Sequence, residues 1–328
     1  MYTALYDPEL GGDIVAPERV RVSYLSRIPY SGRWFRALAP LYPRAFESFD
    51  FSDFDTIVSS TTAWAKGVIV PPGAVHVCYI NTVSRFTFAY DDYVGTKLAR
   101  PIVDRLVAWD RRAARRPTRF VANSKNVAAR IQKYYGRDSD VLHCPVEVDR
   151  FSVGRGAGDY FFIASRLLPY KRVDLAIRAA ALAGVRLLVA GTGPAEAALR
   201  RMAQGTTTTM LGYVDDVRMS ELLGEARAAI LPGEEDFGLV PLEAAACGRP
   251  TIAFRGGGAL ETVVDGATGT FFDLPASESL AAALQAFDPA RFDARTLRAH
   301  AETFAPGQFV ERLRAIVARV RDEALTPA

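Results

Sequence analysis

Short apolar runs closed by small polar residues recur along the chain. In the first half, Thr56-Ile57-Val58, the stretch 75–80 and Phe120-Val121-Ala122 have the length of buried strands. Each runs into Ser, Thr or Asn: Ser59-Ser60-Thr61-Thr62, Asn81-Thr82 and Asn123-Ser124. These are helix N-cap types, and at the carboxyl ends of strands they stand where open α/β sheets take ligands. Between the second and third runs, 97–116 carries Leu98, Ile102, Leu106 and Trp109 at helical spacing. From Tyr160 the alternation becomes regular. Strands are predicted over Tyr160–Ala164, Arg186–Ala190, 209–211 and Ala228–Leu231, with helices over Val173–Ala183, 195–203 and 220–226.

Strands alternating with helices at this spacing predict an α/β chain of two Rossmann-like halves, each a doubly wound parallel sheet. The Gly-rich stretch 151–158 reads as the linker between them. Domains 1–153 and 154–307 are therefore expected. A last helix follows within 308–328, where Phe309, Leu313, Ile316 and Val320 form an apolar stripe that must pack against something.

Composition narrows the class. With 328 residues, 49% of them hydrophobic, the chain can bury two sizeable cores. A net charge of +3 gives no general argument for nucleic acid. Cys78, Cys144 and Cys247 are odd in number and have no metal-ligand spacing, which fits a reducing, cytoplasmic setting and no bound metal. No apolar run reaches the roughly 18 residues that span a bilayer. The cluster Arg111, Arg112, Arg115 and Arg116 is first of all a solvated basic helix end. The alternative carried with it is peripheral contact with an anionic membrane face or contact with an anionic acceptor.

The candidate chemistry sits at 232–258. Pro232-Gly233 stops a strand, Gly238 and Pro241 preclude one continuous helix, and Pro241 suits the first position of a new one. Glu243 then falls near the third position, facing the positive helix end, and Gly248 is a natural stop. Backbone N–H groups of Phe237, Gly238, Leu239 and Val240 would lie beside the carboxylates of Glu235 and Glu243, an arrangement able to hold an anion and a sugar diol. Arg166 and Lys171 follow the strand Tyr160–Ala164, so both can reach the same crevice; arginine forks onto phosphate oxygens and lysine supplies a point charge. Gly191-Thr192-Gly193-Pro194 is a fragment of a dinucleotide fingerprint lacking its last glycine, and serves equally as a tight strand-to-helix turn.

In order along the chain stand R-L-L-P-Y-K-R-V-D-L-A-I, G-T-G-P, L-G-Y-V, E-D-F-G-L-V-P-L-E-A-A-A-C-G-R-P and G-G-G-A-L-E-T-V-V-D-G-A-T-G. This series resembles the C-terminal half of retaining GT-B glycosyltransferases of family 4. L-Y-P-R-A-F-E, V-S-S-T-T-A-W-A-K-G-V, P-P-G and F-V-A-N-S in the first half are similar to its mannosyltransferase-like members. The resemblance implies two Rossmann-like domains facing a cleft, with the C-terminal helix crossing back onto the first. It implies transfer of a sugar, mannose being one candidate, from a GDP- or UDP-sugar to a glycan or lipid-linked acceptor, without metal or other cofactor. Arg166 and Lys171 would bind the diphosphate, Glu235 with the amides of Phe237, Gly238 and Leu239 the sugar, Glu243 the ribose diol, and Val214 would lie near the base. Gly193 and Val240 belong to the same donor lining.

Two departures concern the acceptor side. Family members begin with a strand, a Gly-rich loop and a helix ahead of the segment resembling the start of this chain. The first domain is therefore expected to lack that unit, or the sequence to continue upstream. Where relatives read Y-x-H-T-P-x-R, this chain has Tyr79-Ile80-Asn81-Thr82-Val83-Ser84-Arg85, so Asn81 and Arg85 stand on the acceptor side and Asn81 cannot titrate near neutral pH. Alternatives to a transferase are a catalytically impaired sugar-nucleotide-binding protein and a nucleotide-sugar epimerase.

Overall fold

The computed structural model describes residues 1–11, 14–29, 32, 35, 37–84, 100–154 and 156–325. By its contacts the chain forms two units: 1–123 with 127–142 and 313–328, and 124–126 with 143–312.

In the first unit, β1 (Tyr2–Thr3) and β2 (Arg21–Val22) form a small parallel pair. The main sheet is parallel, in the sequential order β3 (Thr56–Thr61), β4 (Val75–Ile80), β5 (Arg119–Ala122), β6 (Ser139–Val141). All six β4 residues are buried, as its place between two strands requires. The amphipathic helices α1 (Arg100–Ala113) and α2 (Lys125–Tyr135) bury Leu106, Trp109, Val127 and Ile131. Ile102, counted on the apolar stripe from spacing, is instead 45% exposed, while residues 97–99 lie outside the described residues. From Leu313 the C-terminal helix groups with this unit, and Arg319 pairs with Asp140 at 2.8 Å.

This unit buries charge. Lys66 and Asp110 are 1% and 0% exposed and form an ion pair. Lys66 also donates to the Ala63 carbonyl, and Asp110 accepts from Tyr135 Oη at 2.8 Å and Ser84 Oγ at 3.2 Å. His76, fully buried on β4, has Nε2 at 2.7 Å from Ser59 Oγ. Burial lowers its pKa from 6.5 to about 4, because the charged ring has lost its water. The unfolded chain therefore takes up a proton that the folded one refuses. This contribution is whole above pH 6.5 and is lost as pH falls toward 4, by linkage about 3 kcal/mol. Urea midpoints near pH 7 and near pH 4 should show the loss in the parent chain and a smaller one in His76→Gln; equal losses would remove His76 as the cause.

The second unit carries one six-stranded parallel sheet in the order β12-β11-β10-β7-β8-β9. The strands are β7 (Tyr160–Ala164), β8 (Arg186–Ala190), β9 (Thr208–Gly212), β10 (Ala228–Leu231), β11 (Thr251–Phe254) and β12 (Gly269–Phe272). Starting from β7 the sheet grows outward through β8 and β9, then returns to the other side of β7 for β10 to β12. That reversal makes β7 and β10 neighbours at a topological switch point. Alternate residues serve opposite faces. Phe161, Ile163, Leu187 and Val189 pack with helix α3 (Val173–Ala183) through Leu175 and Ile177, whereas Tyr160, Phe162, Leu188 and Ala190 meet Leu222, Leu223 and Ala244 on the other side. Both faces are covered, which is why these strands read as continuous apolar runs.

The units divide at 142/143, not at 153/154, and the Gly-rich stretch is not a free linker. Val146, Val148 and Phe151 pack against Phe237, Leu242, Ala245 and Leu297, and Val146 N–H donates to the Phe304 carbonyl at 2.9 Å. A Cβ on Gly154 would stand 1.8 Å from the Gly224 carbonyl oxygen. The glycine is there for close approach, which composition cannot distinguish from flexibility.

Candidate active site

The carboxyl ends of β7 and β10 point side by side out of the sheet, and their connections leave in opposite directions. The residues singled out for chemistry sit on those connections. After β7, 165–168 leads into a single 3₁₀ turn, Pro169–Lys171, and Arg172 takes a left-handed backbone (φ 53°) before α3 begins. It is the only non-glycine residue with positive φ among the described residues. Such strain persists where the surroundings over-determine it, and it turns the chain sharply after Lys171.

The connection after β10 is seated against its neighbours through glycines. A Cβ on Gly233 would lie 2.6 Å from the Tyr170 carbonyl oxygen, and one on Gly258 2.3 Å from Phe237 Cα. Gly193, after β8, likewise has room for no side chain, with the Leu167 carbonyl oxygen 2.5 Å from its would-be Cβ. Four loops, those after β7, β8, β10 and β11, therefore form one closely fitted rim around the switch point.

Lys171 and Glu235 meet on this rim as an ion pair, 18% and 17% exposed. The family resemblance implied separate tasks for them, diphosphate and sugar; the fold makes them partners. Arg166 is exposed, and its guanidinium has no partner among the described residues. The next helix, α4 (Val240–Ala246), has Leu239 as N-cap and Pro241 at its second position, so Glu243 stands fourth, one residue later than expected from spacing. Gly238 (φ 87°) turns the chain into that helix and Gly248 (φ 69°) takes it out. The amide N–H groups of Phe237, Gly238, Leu239 and Val240 have no backbone acceptor among the described residues. Burial pushes the Glu243 carboxyl up; Arg150 opposes this and Asp216 adds to it. Its side chain has no hydrogen-bond or ion-pair partner among the described residues. A half-buried carboxyl so left open is a place for ligand hydroxyls. Val214 and Val240 pack against one apolar cluster with Ala164 and Ala244.

Other expected positions fall elsewhere. Asn81 ends β4 in the first unit, where Nδ2 donates to Ser60 Oγ at 3.2 Å and its carbonyl accepts from Asn123 Nδ2 at 2.9 Å. Arg85 lies outside the described residues. In the basic cluster, Arg116 is committed to Glu47 at 2.7 Å and to the Gly67 carbonyl, so the four arginines do not form one free patch; Arg111, Arg112 and Arg115 are exposed. No helix among the described residues is long and apolar enough to cross a membrane. His143 stacks on Phe237 with ring centroids 5.4 Å apart, tying it to the rim through a contact no spacing rule announces.

Residues 146–288 match the family described as Glycosyl transferases group 1. That segment lies within the second unit and carries every one of the rim residues. Over 185 residues the chain is 31% identical to D-inositol 3-phosphate glycosyltransferase 2 of Catenulispora acidiphila, covering 46% of this chain and 43% of that protein. Over 217 residues it is 34% identical to D-inositol 3-phosphate glycosyltransferase of Mycolicibacterium paratuberculosis, covering 57% and 49%. The chain thus spans about half the length of these curated relatives or less. In fold it is similar to sucrose-phosphate synthase from Thermosynechococcus elongatus (TM-score 0.71, 18% identity, 92% of this chain and 83% of that one). It is likewise similar to Anabaena Alr3699/HepE solved with UDP and glucose (TM-score 0.65, 18% identity, 91% and 86%). The architecture is α/β, with two Rossmann-like domains of the GT-B type.

Proposed function

We propose that this chain transfers a sugar from a nucleoside-diphosphate sugar to an acceptor hydroxyl, with the donor held on the rim of the second unit. The observation that carries the reading is the Lys171–Glu235 pair at the switch point of a parallel sheet. A cation and an anion held together there suit a donor that presents a diphosphate next to a sugar. Lys171 and the unpartnered Arg166 would neutralise charge growing on the departing diphosphate, aided by the amides of Phe237 to Val240. Glu235 would accept hydrogen bonds from the sugar hydroxyls, and Glu243 from the ribose diol. With the diphosphate so neutralised, no metal is needed, and its oxygen can take the acceptor proton on the same face, which gives retention.

The finer identity follows the relatives and the family resemblance. An inositol phosphate is the acceptor class suggested by the relatives' names, and a glycan or lipid-linked acceptor by the resemblance; UDP and GDP donors, including a mannose donor, are the panel to try. Titration with nucleoside diphosphates and a donor-consumption assay test the reading together. Glu243→Ala should weaken nucleoside-diphosphate affinity about 10- to 100-fold, the worth of hydrogen bonds to a charged group. Unchanged affinity would remove Glu243 from the site. Tight binding without turnover would favour a sugar-nucleotide-binding protein, the reading motivated by Asn81, whose amide is already bonded to Ser60.

A further inference from the structure

Glu235 sits on a connection between two glycines, Gly233 and Gly238, that would not by itself fix the direction of a side chain. Hydrogen bonds from outside the connection do so. The segment 124–126 groups with the second unit. The Ser124 hydroxyl, fully buried, donates to the Asp236 carbonyl at 2.6 Å, and Asn126 Nδ2 donates to the Glu235 carbonyl at 3.1 Å. The Glu235 carbonyl also receives the Gly258 N–H at 2.9 Å.

These donors share an anchor. The Glu261 carboxylate, 9% exposed, accepts the N–H groups of Lys125 at 2.8 Å and Asn126 at 3.2 Å, and faces His143 Nε2 at 2.9 Å. Burial opposes its ionisation, but the hydrogen bonds from His143, Lys125 and Asn126 outweigh burial and hold the carboxyl below its ordinary range. An ionised carboxylate only accepts, so Nε2 of His143 carries the proton and the ring orientation is set. That ring lies on Phe237. Glu235, Asp236 and Phe237 are thus each gripped by a group that Glu261 holds directly or through the adjoining backbone.

We propose that Ser124, Asn126 and Glu261 are positioning residues that aim the Glu235 carboxylate at the transferred sugar of the donor. The inference rests on the donor-site reading above. They touch neither diphosphate nor nucleoside in that reading, so their loss is felt in recognition of the sugar and in turnover. A carboxylate displaced by about 1 Å is enough to lose two orders of magnitude in rate.

The test compares the parent chain with Asn126→Ala, Asn126→Asp and Glu261→Gln. The affinity probes are UDP, GDP, UDP-glucose and GDP-mannose; donor turnover and thermal midpoints are measured alongside. Asn126→Ala removes the donating amide without adding charge, and Asn126→Asp keeps the shape but puts a charged, accept-only carboxylate in its place. The expected result for both Asn126 variants is a nucleoside-diphosphate affinity within about twofold of the parent. The extra affinity contributed by the sugar, and kcat where turnover is seen, should fall about tenfold or more. Glu261→Gln should move the same two readouts in the same direction. If sugar discrimination and kcat are unchanged in the Asn126 variants, or if diphosphate affinity falls in the same proportion, the positioning role is overturned and a structural one remains. A parent chain that binds no nucleoside diphosphate overturns the donor-site reading itself, before any variant is compared.

Discussion

Lys171→Ala is expected to lower kcat for the proposed sugar transfer about 10²- to 10³-fold, with at most a comparable loss of donor affinity. Lys171 is held against Glu235 and cannot swing freely into water. A cation fixed where charge develops on a leaving diphosphate stabilises the transition state more than the ground state, and removing one such group usually takes about 3 to 4 kcal/mol from the barrier reduction. Its loss also leaves the Glu235 carboxylate, 17% exposed, without its counter-charge beside an anionic donor. Lys171→Arg keeps the charge but not the point-like geometry and should recover only part of the rate. Steady-state kinetics with a thermal melt as folding control settles the matter. Turnover within threefold of the parent would show that the ion pair is structural.

The second large effect is on stability. Asp110→Ala should destabilise the first unit by about 3 to 5 kcal/mol, the range for a buried pair that loses one partner. Asp110 is the node: it holds Lys66 and accepts from Tyr135 and Ser84. Burial first, and the Asp110 charge next, push the Tyr135 phenol up, so it stays a donor at every physiological pH. Removing Asp110 leaves an ammonium ion 1% exposed whose remaining contacts among the described residues are the Ala63 carbonyl and the faces of Trp109 and Tyr135. Lys66→Met should be milder, because Asp110 keeps its two hydroxyl donors. The double change Lys66→Met with Asp110→Leu should regain much of the loss, since no charge is then buried. Chemical denaturation of all three ranks them, and a double variant no better than Asp110→Ala would contradict the electrostatic account.

Much of the second unit was legible because its information is local. The strands Tyr160–Ala164 and Arg186–Ala190 and the helix Val173–Ala183 have the bounds that apolar runs and spacing predicted, since each is ended by residues adjacent in sequence. Helix boundaries were less secure where caps compete. The helix predicted over 220–226 begins at Asp216, because the Asp215 carboxylate accepts the Arg218 N–H and starts it earlier. The Gly-rich stretch 151–158 misled for a related reason. Glycine marks both free chain and close packing, and only the approach of Gly154 to Gly224 decides which.

By itself, the sequence determined the α/β class, the parallel sheet of the second unit, and the placement of Arg166, Lys171, Glu235 and Glu243 on loops that follow strands. Those conclusions need only periodicity, turn residues and the spacing of charges along one chain. Tertiary structure alone decided that β10 lies beside β7, that Lys171 and Glu235 are partners, that Glu243 keeps an open carboxyl, and that Ser124, Asn126 and Glu261 grip the loop bearing Glu235. Each of these joins residues far apart in sequence, and their distance is set by strand order and close packing, which no local pattern encodes.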